Sequence, residues 1–352
     1  MFAMDANFSL KRMASGNRNE GDTRVFYESD YFLKAEEVER YAEEVSSARN
    51  AGRGTAVKPG TTHADGPDMS DDEGDNQGDP TDGDRADVSG CTVRWKAAAS
   101  DEKKKMWAIF EECGLFTSAC RHGMMLWITD LIRCGELYVP IKISRTTSTL
   151  TLDRAKFPLA IVGKALEVFK HPWIVGYDIG CSFNITLENS SLGPVFTQQG
   201  NRCCVNAFHG YSHNFECQKK HHPNVIEGMG LEDLETLERV FSSSNQLGGV
   251  TRYMSKYRRR IFIDLFFQQW DAEKYSNLGN MLYNNYVQAL KILEEDGPAL
   301  EHAKQSLNIM EGDLERWQEE EIVYFRNLGK EAEYDIHRVA YVELLQKYRD
   351  VR

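Results

Sequence analysis

The sequence of 352 residues contains no run of 18 apolar residues, so nothing in it reads as a membrane-spanning helix. Its first residues carry no signal-peptide pattern, and eight cysteines are too thinly spread for the disulfide framework of a small secreted domain. The cysteines therefore read as thiols or metal ligands, in a cytosolic or nuclear protein. Between Ser46 and Gly90 large apolar residues are almost absent, replaced by Gly, Asp, Thr and Pro. Such a segment buries too little surface to offset its ordering entropy, which predicts a disordered acidic linker over 46–90. Positive charge is also short, at a formal net −12, which argues against a nucleic-acid binder. Yet residues 61–90 alone hold ten acids and one arginine. The remainder is close to neutral, and its basic patches are free to act. What is present is a hydrophobic content of 41%, enough at this length for two modest domains.

Phe2, Met4, Phe8 and Leu10 alternate around the turn-forming Asp5-Ala6-Asn7, which predicts a strand, a turn and a second strand. Tyr31 to Val45 has helical spacing. Asp101 to Glu136 reads as two helices broken at Gly114 or Gly123, on the spacing of Met106, Ile109, Phe110 and Cys113 and then Leu126, Ile128 and Ile132. Tyr138 to Asp153 alternates like a strand, though it is full of Thr and Ser. Phe157 to Phe169 is helical, Trp173 to Tyr177 suits a buried strand, and Glu232 to Leu247 and Tyr257 to Trp270 are helices. Residues 272–350 are helical almost throughout. The order gives a mixed α/β core followed by a helical domain.

Asp178 ends an apolar run, where a carboxylate is costly unless a cation compensates it. Asp5 is placed similarly, after Met4 and before a turn. Two strand-end aspartates with a glutamate on a later helix can hold two divalent metals for phosphodiester chemistry. Mg2+ suits such a site because it accepts a few carboxylates and keeps several waters. In the helix expected from Leu231, Glu238 falls inside the stripe of Leu231, Leu234, Leu237 and Phe241, with Glu235 just outside it. Glu238 is the expected third acid and Glu235 its reserve.

Between Asp178 and Glu238 the sequence gathers Cys181, Cys203, Cys204, His209, His213, Cys217, His221 and His222. His209, His213 and Cys217 recur at i,i+4, one face of a helix, and further ligands from a preceding loop would complete a tetrahedral zinc site. The expected ligands are His213 and Cys217 with two of Cys181, Cys203 and His209. Arg252, Lys256, Arg258, Arg259 and Arg260, interleaved with Tyr253 and Tyr257, form the densest basic patch and fit contacts to DNA. The apolar series of the tail, from Leu300 to Leu344, drifts in spacing. It reads as a helical hairpin or short coiled coil, through which the chain could form a homo-oligomer.

Five segments in order carry a family resemblance. They are Met4 to Arg12 (MDANFSLKR), Cys120 to Gly123 (CRHG), Gly176 to Cys181 (GYDIGC), Phe208 to Asn214 (FHGYSHN) and Gly230 to Arg239 (GLEDLETLER), with Ser243 to Leu247 following. Over residues 4–13 and about 91–350 the sequence resembles the fungal Kyakuja–Dileera–Zisupton transposases, which are DDE-type DNA transposases. The resemblance implies an RNase H-like α/β fold with a Cys/His-containing insertion, about 181–225, between the second and third acids, and a helical, partly coiled C-terminal region. It matches Asp5 and Asp178 to the first two catalytic acids and the Glu235/Glu238 pair to the third. It also implies Mg2+-dependent strand cleavage and transfer on DNA in the nucleus. The expected layout is the start of the core at 1–45, the linker at 46–90, the core at 91–250 and the helical region at 251–352.

Three departures from the family point to a remnant. The long N-terminal region before the first acid is missing, only four residues precede Asp5, and Tyr138 to Arg154 interrupts a stretch that the family keeps nearly contiguous. A short terminal strand would fray, leaving Asp5 mobile and the chain able to bind DNA but not to cut it. Tyr138 to Arg154 reads as translated intron or an error in the gene's assigned boundaries, an exposed and weakly ordered excursion, and transcript sequencing should reveal a spliced message without these codons.

Overall fold

The computed structural model describes residues 1–14, 24, 27–42, 109–132, 149–327 and 333–350. The linker 46–90 and residues 138–148 of the expected excursion lie outside the described residues. The chain divides into two compact units, Met1–Ser212 with His221–Leu278, and Gly279–Arg352 with His213–Lys220.

The first unit is built on a mixed sheet. β1 (Phe2–Asn7) lies between β3 (Phe110–Cys120), to which it is antiparallel, and β5 (Ile174–Gly176), to which it is parallel. β4 (Met125–Ile132) pairs antiparallel with β3, while β2 (Arg12–Met13) prolongs the β1 edge of β3. β6 (Arg202–Cys204) adds to β5 in parallel. Successive strand residues point to opposite faces, so β1 sends Phe2 and Met4 one way and Ala3, Asp5 and Asn7 the other.

Each face is buried under helices. Phe2 and Met4 join a core completed by α2 (Thr149–Val168), through Leu159, Ile161 and Val162, and by Phe183 of α3 (Gly180–Glu188). Ala3 joins Leu115, Ile128, Leu237, Val240, Phe241, Ile263 and Phe267 on the other side. Those helical residues come from α7 (Thr236–Ser244) and the first part of α9 (Lys256–Ser306). The shorter elements are α1 (residues 35–42), α4 (Gly193–Gln198), α5 (Ala207–Gly210), α6 (Phe215–His221) and α8 (Leu247–Thr251).

Of the two helices expected over Asp101 to Glu136, residues 101–108 and 133–136 lie outside the described residues, and 110–132 form instead the β3–β4 hairpin, closed by a turn in which Gly123 has φ of 89°. Both faces of β3 are buried, so apolar and small residues follow one another without alternation and the strand period is hidden. The alternation from Tyr138 to Asp153 does not persist as strand either, because α2 begins at Thr149. Gly114, in the middle of β3, is forced by packing: a Cβ there would lie 2.1 Å from the Asn7 carbonyl oxygen.

A buried ion pair ties this unit together. Arg259 of α9 is fully buried, and its guanidinium meets Asp130 of β4 and donates to the carbonyls of Leu10 (2.8 Å) and Gly114 (3.4 Å). Arg260 donates to the other Asp130 oxygen at 2.8 Å and lies over the ring of Phe32. Burial alone would raise the Asp130 carboxyl, but the two guanidinium charges and their hydrogen bonds outweigh it and hold its pKa below the ordinary 3.8.

In the second unit, α10 (Asp313–Asn327) holds the segment His213–Lys220. Phe215 and Phe325 stack at 3.9 Å between ring centroids, Arg326 donates to Glu216 at 2.9 Å, and Lys219 pairs with Glu321. α11 covers Glu333–Asp350. The α9 residues of this unit expose Tyr283, Tyr286 and Leu293.

Substituting Asp130→Ala should cost about 3–5 kcal/mol, because it strands a buried guanidinium, whereas the pair of Asp130→Leu with Arg259→Met should recover much of that loss. Urea unfolding with a fitted slope measures both. A carboxyl held low in the folded state stabilises the fold above its unfolded value near 3.8, and that stabilisation disappears as pH falls through the lower folded value. The Asp130→Ala chain should therefore lose less further stability on acidification to that range than the parent does.

Candidate functional site

Asp5, on β1, shares a face with Ala3 and Asn7, the face that α7 covers. Asn7 fixes the far end of this contact, donating to Asn245 Oδ1 at 3.0 Å and to Ser244 Oγ at 3.4 Å. Asp178 lies two residues beyond β5, in the turn that leads into α3. Its Oδ1 accepts a 3.0 Å hydrogen bond from Asn206, a buried residue just beyond β6.

The helix expected from Leu231 begins only at Thr236. Leu234 breaks it by adopting a left-handed φ of 57°, a costly conformation for a branched apolar residue. Complete burial of its side chain offsets that cost. Gly176 makes the burial possible, since a Cβ there would sit 2.8 Å from Leu234. The Asp233 carboxylate then accepts the Glu235 N–H at 2.9 Å and grips Arg239 with both oxygens.

The late start changes the two glutamates. Glu238 was expected inside the apolar stripe, but it sits in the first turn of α7 and is exposed. The buried stripe is Leu237, Val240, Phe241 and Ser244. Glu235 occupies the N-cap position with its side chain 11% exposed. Its Oε1 accepts the Phe208 N–H at 2.8 Å, and its Oε2 lies 3.4 Å from His209 Nδ1.

His209 is therefore not with the cysteines. The same Nδ1 lies 3.4 Å from Asp178 Oδ1, so this imidazole bridges the second acid and Glu235. The acids also sense one another. Burial and the charge of Asp178, with smaller contributions from Glu238 and Glu235, raise the Asp5 pKa well above 3.8 despite a hydrogen bond from the Ala6 N–H. Asp5, Asp178, Glu235 and Glu238 are one electrostatic cluster. The fraying expected of Asp5 is not what the structure shows, because β1 is paired on both edges and Asp5 stands opposite Thr117.

Of the expected zinc ligands, His213 and Cys217 belong to the second unit and Cys181, Cys203 and His209 to the first. Asn214 accepts the Cys217 N–H at 2.8 Å and starts α6, which brings Cys217 Sγ to 3.4 Å from His213 Nδ1. A thiol and an imidazole so placed are donors that a structural metal such as zinc can use. Cys203 is withdrawn from such a role. It is a core residue of β6, and burial pushes its thiol well above the ordinary range, against the thiolate that a metal needs. His222 is also occupied, with Nε2 3.0 Å from the Ala207 carbonyl and Nδ1 accepting the Asn224 N–H.

The basic patch is divided in the same way. Arg259 and Arg260 are committed to Asp130, so their charge serves the core rather than a ligand. Arg252 and Lys256 are partly exposed and Arg258 is exposed. Tyr257 packs edge-on against Tyr27, with Arg24 over its ring. No helix among the described residues is long and apolar enough to cross a membrane.

A mixed sheet with acids gathered beside its central strand defines an α/β protein with an anionic site under a covering helix. The chain belongs to the Kyakuja-Dileera-Zisupton transposase family, whose model matches residues 1–271. No curated protein and no solved structure gives a match.

Protein purified without added zinc should carry close to one equivalent by elemental analysis, and strong chelators should lower its melting temperature, because structural zinc contributes directly to folding stability. Cys217→Ser should remove most of the bound metal, whereas Cys203→Ser should leave the content unchanged.

Proposed function

We propose that the acid cluster is the catalytic centre of a DDE-type DNA transposase, cutting and joining DNA strands with Mg2+ held by Asp5, Asp178 and Glu238. The observation that carries this reading is the placement of the acids, Asp5 on the strand between β3 and β5, Asp178 just beyond β5 and Glu238 at the start of the helix covering that face, close enough that burial and the neighbouring charges raise the Asp5 carboxyl. A site of like charges is stable with its acids ionised only when cations join it. The strand arrangement supports an RNase H-like core: three antiparallel strands, then two parallel ones, with the first in the middle. Glu238 is the better third ligand because it is exposed, while Glu235 is half-buried with Oε1 accepting the Phe208 N–H.

The residues divide the work. Divalent ions at such a site activate the attacking hydroxyl and stabilise the leaving oxygen. Asp5 is held by the sheet and Asp178 by Asn206, so both present oxygens from fixed positions. His209 lies between Asp178 and Glu235, with Nδ1 3.4 Å from an oxygen of each. Arg252, Lys256 and Arg258 supply phosphate contacts, and family membership supports a role on DNA in the nucleus. Zn2+ held by His213 and Cys217 would serve the fold rather than the chemistry. Tyr283, Tyr286, Leu290 and Leu293 follow the 3–4 spacing of a coiled-coil seam, which supports a homo-oligomer formed through the C-terminal helices.

A second reading is a zinc-stabilised DNA- or protein-binding remnant without catalysis. The close approach of Cys217 to His213 favours it, since the acids do not converge as closely.

With labelled duplex DNA and Mg2+ or Mn2+, the parent chain should cleave, and Asp178→Asn should cut at least about 100-fold more slowly, the scale on which misplaced catalytic geometry acts. Added Mn2+ should raise the melting temperature of the parent more than that of Asp178→Asn. Zinc-loaded protein that binds DNA but neither cleaves it nor responds to Mn2+ establishes the second reading.

A further inference from the structure

Phe208 stands at the acid cluster but holds none of it with its side chain. Its backbone is fixed from several directions. The Ala207 N–H donates to the Asp233 carbonyl at 2.9 Å, the Phe208 N–H to Glu235 at 2.8 Å, and the Gly210 N–H to the Asn206 carbonyl at 2.8 Å. Gly210 admits the His222 ring, which would lie 2.5 Å from any Cβ there, and that ring reaches the Ala207 carbonyl. The next residue, His209, bridges Asp178 and Glu235. Despite this rigid mounting, the Phe208 ring is 77% exposed, and its closest aromatic neighbour is His209, edge-on at 5.9 Å.

Single exposed apolar residues are ordinary on protein surfaces. This one differs in its setting, since its own amide is bonded to one acid of the cluster and its neighbour touches a second. Ile179, the residue after Asp178, and Leu231, four before Glu235, are also exposed. A neutral, flat ring beside concentrated negative charge does not attract phosphate. It offers a π-face to a neutral, flat group while cations in the acid cluster take the phosphate.

We propose that Phe208 is a stacking platform for an unpaired nucleobase adjoining the phosphate that enters the acid cluster. The proposal rests on the DNA-processing reading of those acids and adds a preference for a strand end, or a locally opened duplex, over fully paired DNA. A base within a duplex has both faces covered by its neighbours, so only an unstacked one gains from the ring. Aromatic stacking of this kind is tolerant of sequence, so the preference is for unpairing rather than for a particular base.

The test uses the full chain with Ca2+ in place of Mg2+, and two short DNAs. One is a blunt duplex, and the other is the same duplex with a single-stranded 3′ overhang containing 2-aminopurine. The parent should bind the overhang DNA more tightly and quench the 2-aminopurine. Phe208→Ala should weaken overhang binding by roughly tenfold or more. It should also abolish the quenching and leave blunt-duplex binding and melting temperature unchanged. Phe208→Trp should retain both effects, and Phe208→Leu should not restore the quenching. Equal loss on both DNAs, or quenching that survives in Phe208→Ala, overturns the stacking role. In either case the acid cluster is judged separately by the response of Asp178→Asn to Mn2+. A parent chain that binds neither DNA, or that prefers a lysine-rich peptide to both, overturns this proposal together with the DNA-processing reading.

Discussion

The buried guanidinium of Arg259 is the constraint on which the first unit depends. It takes a charge from α9 into the core and satisfies it with Asp130 of β4, the Leu10 carbonyl beyond β1 and the Gly114 carbonyl of β3. A charge so placed is strongly destabilising unless every partner is present, so the pair adds specificity more reliably than stability. The same contacts reach the acid cluster. Gly114 packs directly on the backbone of Asn7, and Asn7 is bonded to Ser244 and Asn245 at the end of α7. The relation of α7 to β1, which brings Glu238 towards Asp5, is thus held at one end by Asn7 and behind it by Arg259.

This explains what could be read from the sequence and what could not. The buried strand before Asp178 was legible as a short apolar run, but the turn expected at Asp5-Ala6-Asn7 is strand instead, because pairing with β3 carries β1 on through Asn7 and no second strand forms at Phe8 to Leu10. The β3–β4 hairpin was not legible, because burial on both faces removes the alternation that marks a strand. The basic patch misled for a related reason. Arg258, Arg259 and Arg260 are equivalent in sequence, and only the position of Asp130 on a distant strand separates a core charge from exposed ones.

The glutamate pair shows the limit of periodicity more sharply. A helical wheel requires a helix, and the left-handed Leu234 delays the start of α7 until Thr236. No local signal announces this, since Leu is a good helix former. The cause is remote, in the absence of a side chain at Gly176, and it becomes visible only when β5 and the segment before α7 lie together. His209 is a similar case. Its spacing from His213 and Cys217 suits a shared helix face, but α5 ends at Gly210, and the break sends His209 towards Asp178 and Glu235 instead.

A cluster of four carboxylates opposes its own formation, so the scaffold must impose it. The structure does so unevenly. Asp5 is fixed by pairing on both edges of its strand, Asp178 by Asn206, and Glu235 by the Phe208 N–H and His209. Glu238 alone is exposed at the start of its helix. Three acids are in set positions, and the fourth is left able to adjust. Full rigidity in all four would hold the repulsion at its maximum whenever cations were absent. With Glu238 in solvent, one acid can move away from Asp5, whose carboxyl is held above its ordinary value by burial and by the neighbouring charges.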